Sequence, residues 1–138
     1  MSKKILIVDD EEDIAFSLAR RLTASGYEVI CAEDGVEGLR RAQSDHPDLI
    51  LLDLMLPKMD GFKVCRLLKF DERYKRIPII MVSARTQDED IALGKETGAE
   101  CYVAKPFDSA ELIDKIAELL GQAETAADTP AAKQESEE

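Results

Sequence analysis

Leu49-Ile50-Leu51-Leu52-Asp53-Leu54-Met55-Leu56-Pro57 is the stretch on which the reading of the fold turns. Its opening residues are apolar at every position rather than at alternate ones, the pattern of a strand buried on both sheet faces. An ionised carboxylate inside such a strand would be costly. Asp53 is therefore placed at the strand's carboxyl end, where open parallel sheets hold their ligands. A strand-end Asp also commonly starts a turn or caps a helix, and the rest of the chain has to decide between these roles.

Upstream, Lys4-Ile5-Leu6-Ile7-Val8 predicts a strand that runs into Asp9-Asp10-Glu11-Glu12-Asp13. Ile14, Leu18 and Leu22 then recur at helical spacing, with Arg20 and Arg21 in the last turn and Gly26 just beyond, all in accord with the helix dipole and a C′ glycine. Tyr27 to Cys31 predicts a second strand. Asp34-x-x-Glu37 reads as a capping box for a helix with Val36, Leu39 and Ala42 inward, stopped by Pro47. Downstream, Pro57 to Gly61 predicts a turn with Asp60 as an N-cap. The helix that follows is expected to bury Phe62, Cys65, Leu68 and Leu67, and Asp71 to Arg76 to be solvated loop. Pro78 to Val82 predicts the fourth strand, ending at Ser83. Thr86-x-x-Glu89 caps a fourth helix with a thin apolar face, Ile91 and Leu93. Cys101 to Ala104 is a short fifth strand ending at Lys105-Pro106. Asp108-x-x-Glu111 caps a last helix (Leu112, Ile113, Ile116, Leu119, Leu120) closed by Gly121.

Strands and helices thus alternate five times with short links, which implies right-handed crossovers and a parallel sheet covered on both faces. The expected fold is α/β, a doubly wound five-stranded parallel sheet in the order 2-1-3-4-5 with five helices. Residues 1–121 form one domain, and 122–138 an acidic tail with too little apolar content to fold.

The 138 residues, 45% hydrophobic, suffice for one core. No apolar run approaches the roughly 20 residues of a membrane span, and no secretory signal is legible. Cys31, Cys65 and Cys101 lie far apart among apolar neighbours and read as reduced core thiols of a cytoplasmic protein. A net charge of −11 argues against direct contact with nucleic acid. A protein partner, or a bound cation, fits better.

In such a sheet every strand's carboxyl end opens on one rim. Asp9 and Asp10 end the first strand, Asp53 the third, Ser83 the fourth and Lys105 the fifth. Carboxylates this close would repel; a hard cation with oxygen ligands, Mg²⁺, relieves the repulsion. Acids after the first strand exclude a dinucleotide-binding loop, which needs glycines there. His46 lies at the opposite end of the sheet and reads as a surface residue.

As a set, Val8-Asp9-Asp10, Asp53-Leu-Met-Leu-Pro-x-Met-Asp-Gly61, Ser83-Ala84 and Lys105-Pro106-Phe107 resemble the receiver domain of two-component response regulators, of the stand-alone, chemotaxis-receiver type. The match runs from Lys3 to about Gly121. The resemblance implies a flavodoxin-like fold. It also implies that Asp53 accepts a phosphoryl group from a phosphohistidine of a sensor histidine kinase or phosphotransfer protein, and later loses it by slow self-catalysed hydrolysis. Asp10 and Asp53 would be direct Mg²⁺ ligands, Asp9 a ligand through water, and Met55 a ligand through its backbone carbonyl. Lys105 and Ser83 would contact phosphoryl oxygens, and the Lys105-Pro106 peptide is typically cis in this family.

Tyr102 matches the family's switch aromatic, against the plainer reading that it covers the sheet edge. The output surface for a downstream protein target would be the fourth helix, fifth strand and fifth helix, on a monomer or a phosphorylation-dependent dimer. Arg85 either modulates water access to the phosphoryl or is a plain surface residue. Met55, Met59 and Met81 otherwise read as packing or loop residues. Two alternatives belong to other classes. A small-molecule phosphatase with an aspartyl nucleophile would carry Asp-x-Asp after its first strand and a cap domain, and this chain has neither. A degenerate scaffold receiver would lack site positions, and all five are present here.

Overall fold

A computed structural model of the protein describes residues 2–84, 92 and 96–128. Its elements are β1 (Lys4–Val8), α1 (Glu12–Ala24), β2 (Glu28–Ala32), α2 (Gly35–Asp45), β3 (Leu49–Asp53), α3 (Gly61–Lys69), β4 (Ile79–Ser83), β5 (Cys101–Ala104) and α4 (Ser109–Asp128). The strands form one sheet in the order β2-β1-β3-β4-β5, every neighbouring pair parallel. The helix expected after Thr86, with Arg85, Ile91 and Leu93, lies outside the described residues.

Side chains alternate between sheet faces, and the three central strands therefore feed two cores. Leu6, Val8, Ile50, Leu52, Ile79 and Met81 pack with Ala42 of α2 and Val64, Cys65 and Leu68 of α3. Ile5, Ile7, Leu49, Leu51, Ile80 and Val82 pack with Ala15, Leu18 and Leu22 of α1 and Leu112, Ile116 and Leu120 of α4. This is why β1, β3 and β4 read as unbroken apolar runs: each residue has a covered face to occupy.

Three of the predicted N-caps form, and the one expected at Thr86 lies outside the described residues. Asp34 Oδ1 accepts from the Glu37 amide at 2.8 Å, Asp60 Oδ1 from Lys63 at 2.9 Å, and Asp108 Oδ1 from Ala110 and Glu111 at 2.9 and 3.2 Å. Gly26 takes the left-handed conformation (φ +99°) after α1.

Several side-chain expectations are corrected. Val36 and Leu67 point outward, 46% and 44% exposed. The helix α2 turns Gly38 and Ala42 inward, and a Cβ on Gly38 would lie 2.7 Å from Val8 Cγ1 of β1, whereas Gly35 lies against the Met59 backbone. That close approach rotates the larger Val36 away. In α3 the buried places belong to Val64, Cys65 and Leu68, with Phe62 partly buried against the same core. Cys31 is exposed because β2 is an edge strand, whereas Cys65 is buried with its Sγ 3.5 Å from the Thr97 carbonyl oxygen. Tyr74, within the stretch expected to be solvated loop, is buried in the α2/α3 core, and its ring stacks on His46. His46 itself is exposed, as expected.

Nor does the last helix close at Gly121: it continues to Asp128. A Cβ on Gly121 would meet nothing within 4 Å, so the glycine disturbs no packing, and the alanines that follow have the highest helix propensity. The remainder of the expected tail, 129–138, lies outside the described residues.

Candidate functional site at the carboxyl rim of the sheet

Strand order determines which side chains meet. With β1 and β3 adjacent, Val8 pairs with Leu52, so Asp9 and Asp53 emerge side by side. Asp9 and Asp53 are buried, Asp10 is exposed, and one oxygen from each lies within 4.8 Å of the others. The Asp9 amide donates to the Ala32 carbonyl at 3.1 Å, and Asp9 Oδ1 accepts from the Glu11 amide at 2.8 Å. Asp53 Oδ1 accepts from the Met55 amide at 3.2 Å. Behind Asp53, Gly61 opens α3 against the Asp53 carbonyl, with room for no Cβ, and its amide donates to the Leu54 carbonyl at 2.9 Å.

From the other side comes Lys105. Its backbone amide donates to the Ser83 carbonyl at 2.8 Å, extending the β4–β5 pairing by one step, and the Lys105-Pro106 peptide is cis, as the resemblance implied. The ammonium donates to Asp9 Oδ2 at 3.0 Å, Asp53 Oδ2 at 3.2 Å and Glu11 Oε1 at 2.7 Å. Ser83 is fully buried at the end of β4, across from Ala104. Tyr102, opposite Met81 in β5, is half-buried and packs against the α2/α3 core.

Electrostatics follow from this crowding. Burial raises the Asp53 pKa and the charge of Asp9 raises it further; Lys105 and the Met55 amide pull only part of it back. For Lys105, burial opposes the ammonium, but the hydrogen bonds to Glu11 and Asp9 and the charge of Asp53 outweigh it and hold the group above its ordinary value. The pocket is thus an oxygen-rich, strongly acidic site with the Lys105 ammonium fixed on its edge. Three convergent carboxylates are donors for a hard cation, not a soft one, so the residues present fit a bound divalent ion. An open cleft lined by Asp10, Met55, Pro57 and Phe62 leads along the β3–α3 loop to it. A carboxylate beside a cation site and an ammonium can act as a nucleophile toward an anionic donor whose charge those groups offset.

The rim therefore brings Lys105 into contact with Asp9 and Asp53, with Asp10 converging on the two acids, Ser83 and Met55 flanking them, and Tyr102 two strand positions before Ala104. The sequence places Glu11 only within the acidic start of the first helix. Nothing in the sequence signals that it reaches a lysine 94 residues on.

The profile of the response regulator receiver domain matches residues 5–117. The chain is 46% identical over 127 residues to the alkaline phosphatase synthesis transcriptional regulatory protein PhoP of Bacillus subtilis, covering 92% of this chain and 52% of that one. It is 44% identical to the DNA-binding dual master transcriptional regulator RpaA of Synechocystis, covering 85% of this chain and 48% of that one. It thus spans about half the length of the curated relatives it matches. Among solved structures, a CheY-like response regulator receiver domain protein from Methanospirillum hungatei superposes with a TM-score of 0.86 at 32% identity, over 91% of this chain and 99% of that one.

Proposed function

Since the chain belongs to the response regulator receiver domain family, we propose that Asp53 is its phospho-acceptor and that the rim residues carry the roles the motifs imply. The chain is a signalling receiver of a two-component response regulator. The observation that carries the site assignment is the reach of Lys105 to both Asp53 and Asp9, from three different strand ends, at 3.2 and 3.0 Å.

In the proposed reaction a carboxylate oxygen of Asp53 attacks the phosphorus of a phosphohistidine on a sensor histidine kinase or phosphotransfer protein. The new oxygen–phosphorus bond forms as the phosphorus–nitrogen bond breaks, and the imidazole nitrogen keeps the electron pair. Asp53 is oriented by the Met55 amide on Oδ1, which leaves Oδ2 toward Lys105. Lys105 then pairs with a phosphoryl oxygen, and the Ser83 hydroxyl donates to another. Asp9, Asp10, Asp53 and the Met55 backbone carbonyl would hold Mg²⁺, which when bound supplies the positive charge that lets an anionic donor approach a carboxylate-lined pocket.

Movement of Ser83 toward the phosphoryl leaves space that Tyr102 fills, and the surface around β5 and α4 changes for a downstream protein target. Phosphorylation need only bias an existing equilibrium. Slow hydrolysis by water returns the free carboxylate. A cytoplasmic setting fits these partners; among the described residues no helix is long and apolar enough to cross a membrane.

A second reading of the output is favoured by the half-length overlap with relatives named as DNA-binding: the receiver controls a DNA-binding segment rather than a separate protein target. Intact mass after incubation with Mg²⁺ and acetyl phosphate tests the acceptor. The wild type should gain one phosphoryl group as acetate leaves, and Asp53→Asn should gain none. No adduct on the wild type, or an equal adduct on the variant, refutes the assignment.

A further inference from the structure

Glu11 is distinguished by a bond it does not make. It sits at the N-cap position of α1, where short polar side chains commonly accept from an amide of the first turn, yet its carboxylate makes no cap bond. It turns across the rim instead and takes the shortest of the three Lys105 contacts, 2.7 Å against 3.0 and 3.2 Å. Asp9 and Asp53 are buried, whereas the Glu11 side chain is 56% exposed and lies outside the group of three converging acids. The ammonium, on a side chain only 10% exposed, is thus shared between two buried carboxylates and a third that lies at the surface.

A phosphoryl group on Asp53 would pair with that same ammonium. We infer that Glu11 is a positioning residue: it holds Lys105 in the unphosphorylated protein and competes with the phosphoryl group for it. The inference rests on Asp53 being the acceptor, as proposed above. It makes Glu11 a brake on phosphorylation built from a single exposed ion pair. Such a pair corresponds to about a two- to five-fold effect on a rate or an equilibrium.

The test uses Glu11→Gln, a surface change that leaves the fold alone. With Mg²⁺ and acetyl phosphate, the initial rate of phosphoryl addition followed by intact mass should rise about two- to five-fold. In a Lys105→Met background the same substitution should change nothing. Glu11→Asp, which keeps the charge one methylene short of the ammonium, should behave like Glu11→Gln. A wild-type rate in Glu11→Gln or Glu11→Asp overturns the inference. So does an equal gain without Lys105, which would mean that the charge acts on the donor directly. In chelator, the Lys105 Nζ resonance should shift in Glu11→Gln; an unchanged resonance overturns the contact without any phosphorylation being needed. Absence of an adduct on the wild type, by contrast, would fall on the acceptor assignment, and the resonance would still decide on Glu11.

Discussion

Replacing Lys105 by Met withdraws the ammonium from a cluster of carboxylates, and the cost can be worked from the geometry. The Lys105 side chain is 10% exposed, and those of Asp9 and Asp53 are 7% and 5% exposed. Removing one partner of a buried ion pair costs about 3–5 kcal/mol, because it leaves an uncompensated charge in a poorly solvated place. Loss of the exposed Glu11 pair adds less than about 1 kcal/mol. Met keeps most of the apolar stem, and water entering beside the exposed Asp10 relieves part of the penalty. A net loss of about 3 kcal/mol follows, out of a total stability of about 5–15 kcal/mol for a domain. With a urea slope of about 1.5 kcal/mol/M, the midpoint should fall by about 2 M.

The assay is urea unfolding followed by far-ultraviolet circular dichroism in chelator at pH 7. The Lys105 pKa is raised on folding, so its contribution is fully present below its unfolded value of about 10.4 and is lost only as pH rises through the higher folded value. No loss is therefore expected on the alkaline side of the working range. On the acid side the difference between variants should shrink as Asp53, whose pKa is raised by burial and by Asp9, takes up its proton. Equal midpoints at pH 7 would refute the claim that the ammonium offsets the repulsion among the rim acids.

Asp53→Asn should stabilise the metal-free protein at pH 7. The folded pKa of Asp53 is raised by burial and by Asp9, so stability is greatest below the unfolded value of about 3.9 and is lost as pH rises through the folded one. The gain should accordingly shrink toward pH 3.5, as read by urea midpoints at the two pH values. Gly61→Ala should destabilise by about 1–3 kcal/mol and slow phosphoryl addition, because its Cβ would press on the Asp53 carbonyl and come within 2.9 Å of Leu54 Cα, backbone that cannot yield as a side chain can. Equal thermal midpoints would contradict that packing. Gly121→Ala should raise helicity and add up to about 1 kcal/mol, since the residue sits inside α4 with open space around it; no change in ellipticity would mean that the helix stops there.

Much of this protein was legible in one dimension. Unbroken apolar runs at Ile5–Val8, Leu49–Leu52 and Ile79–Val82, short and bounded by turn residues, read as strands covered on both faces, and β/α alternation with short links leaves few topologies. The caps at Asp34, Asp60 and Asp108 were readable because a cap bond spans two or three residues, and the rim acids because motif spacing reports strand ends. The α-helical faces were less legible. Whether Val36 or Gly38 faces the sheet depends on how closely α2 approaches Val8, a distance that periodicity does not carry. Tyr74 was hidden by its charged neighbours, and the reach of α4 past Gly121 by a glycine that packs against nothing. What only the tertiary structure decided is how the rim charges are shared. Lys105 could pair with any of four acids, and backbone placement from β1, β3 and β5 selects Asp9, Glu11 and Asp53. Short-range rules govern backbone form, whereas an ion pair between residues 94 positions apart exists only once the sheet has brought its strand ends together.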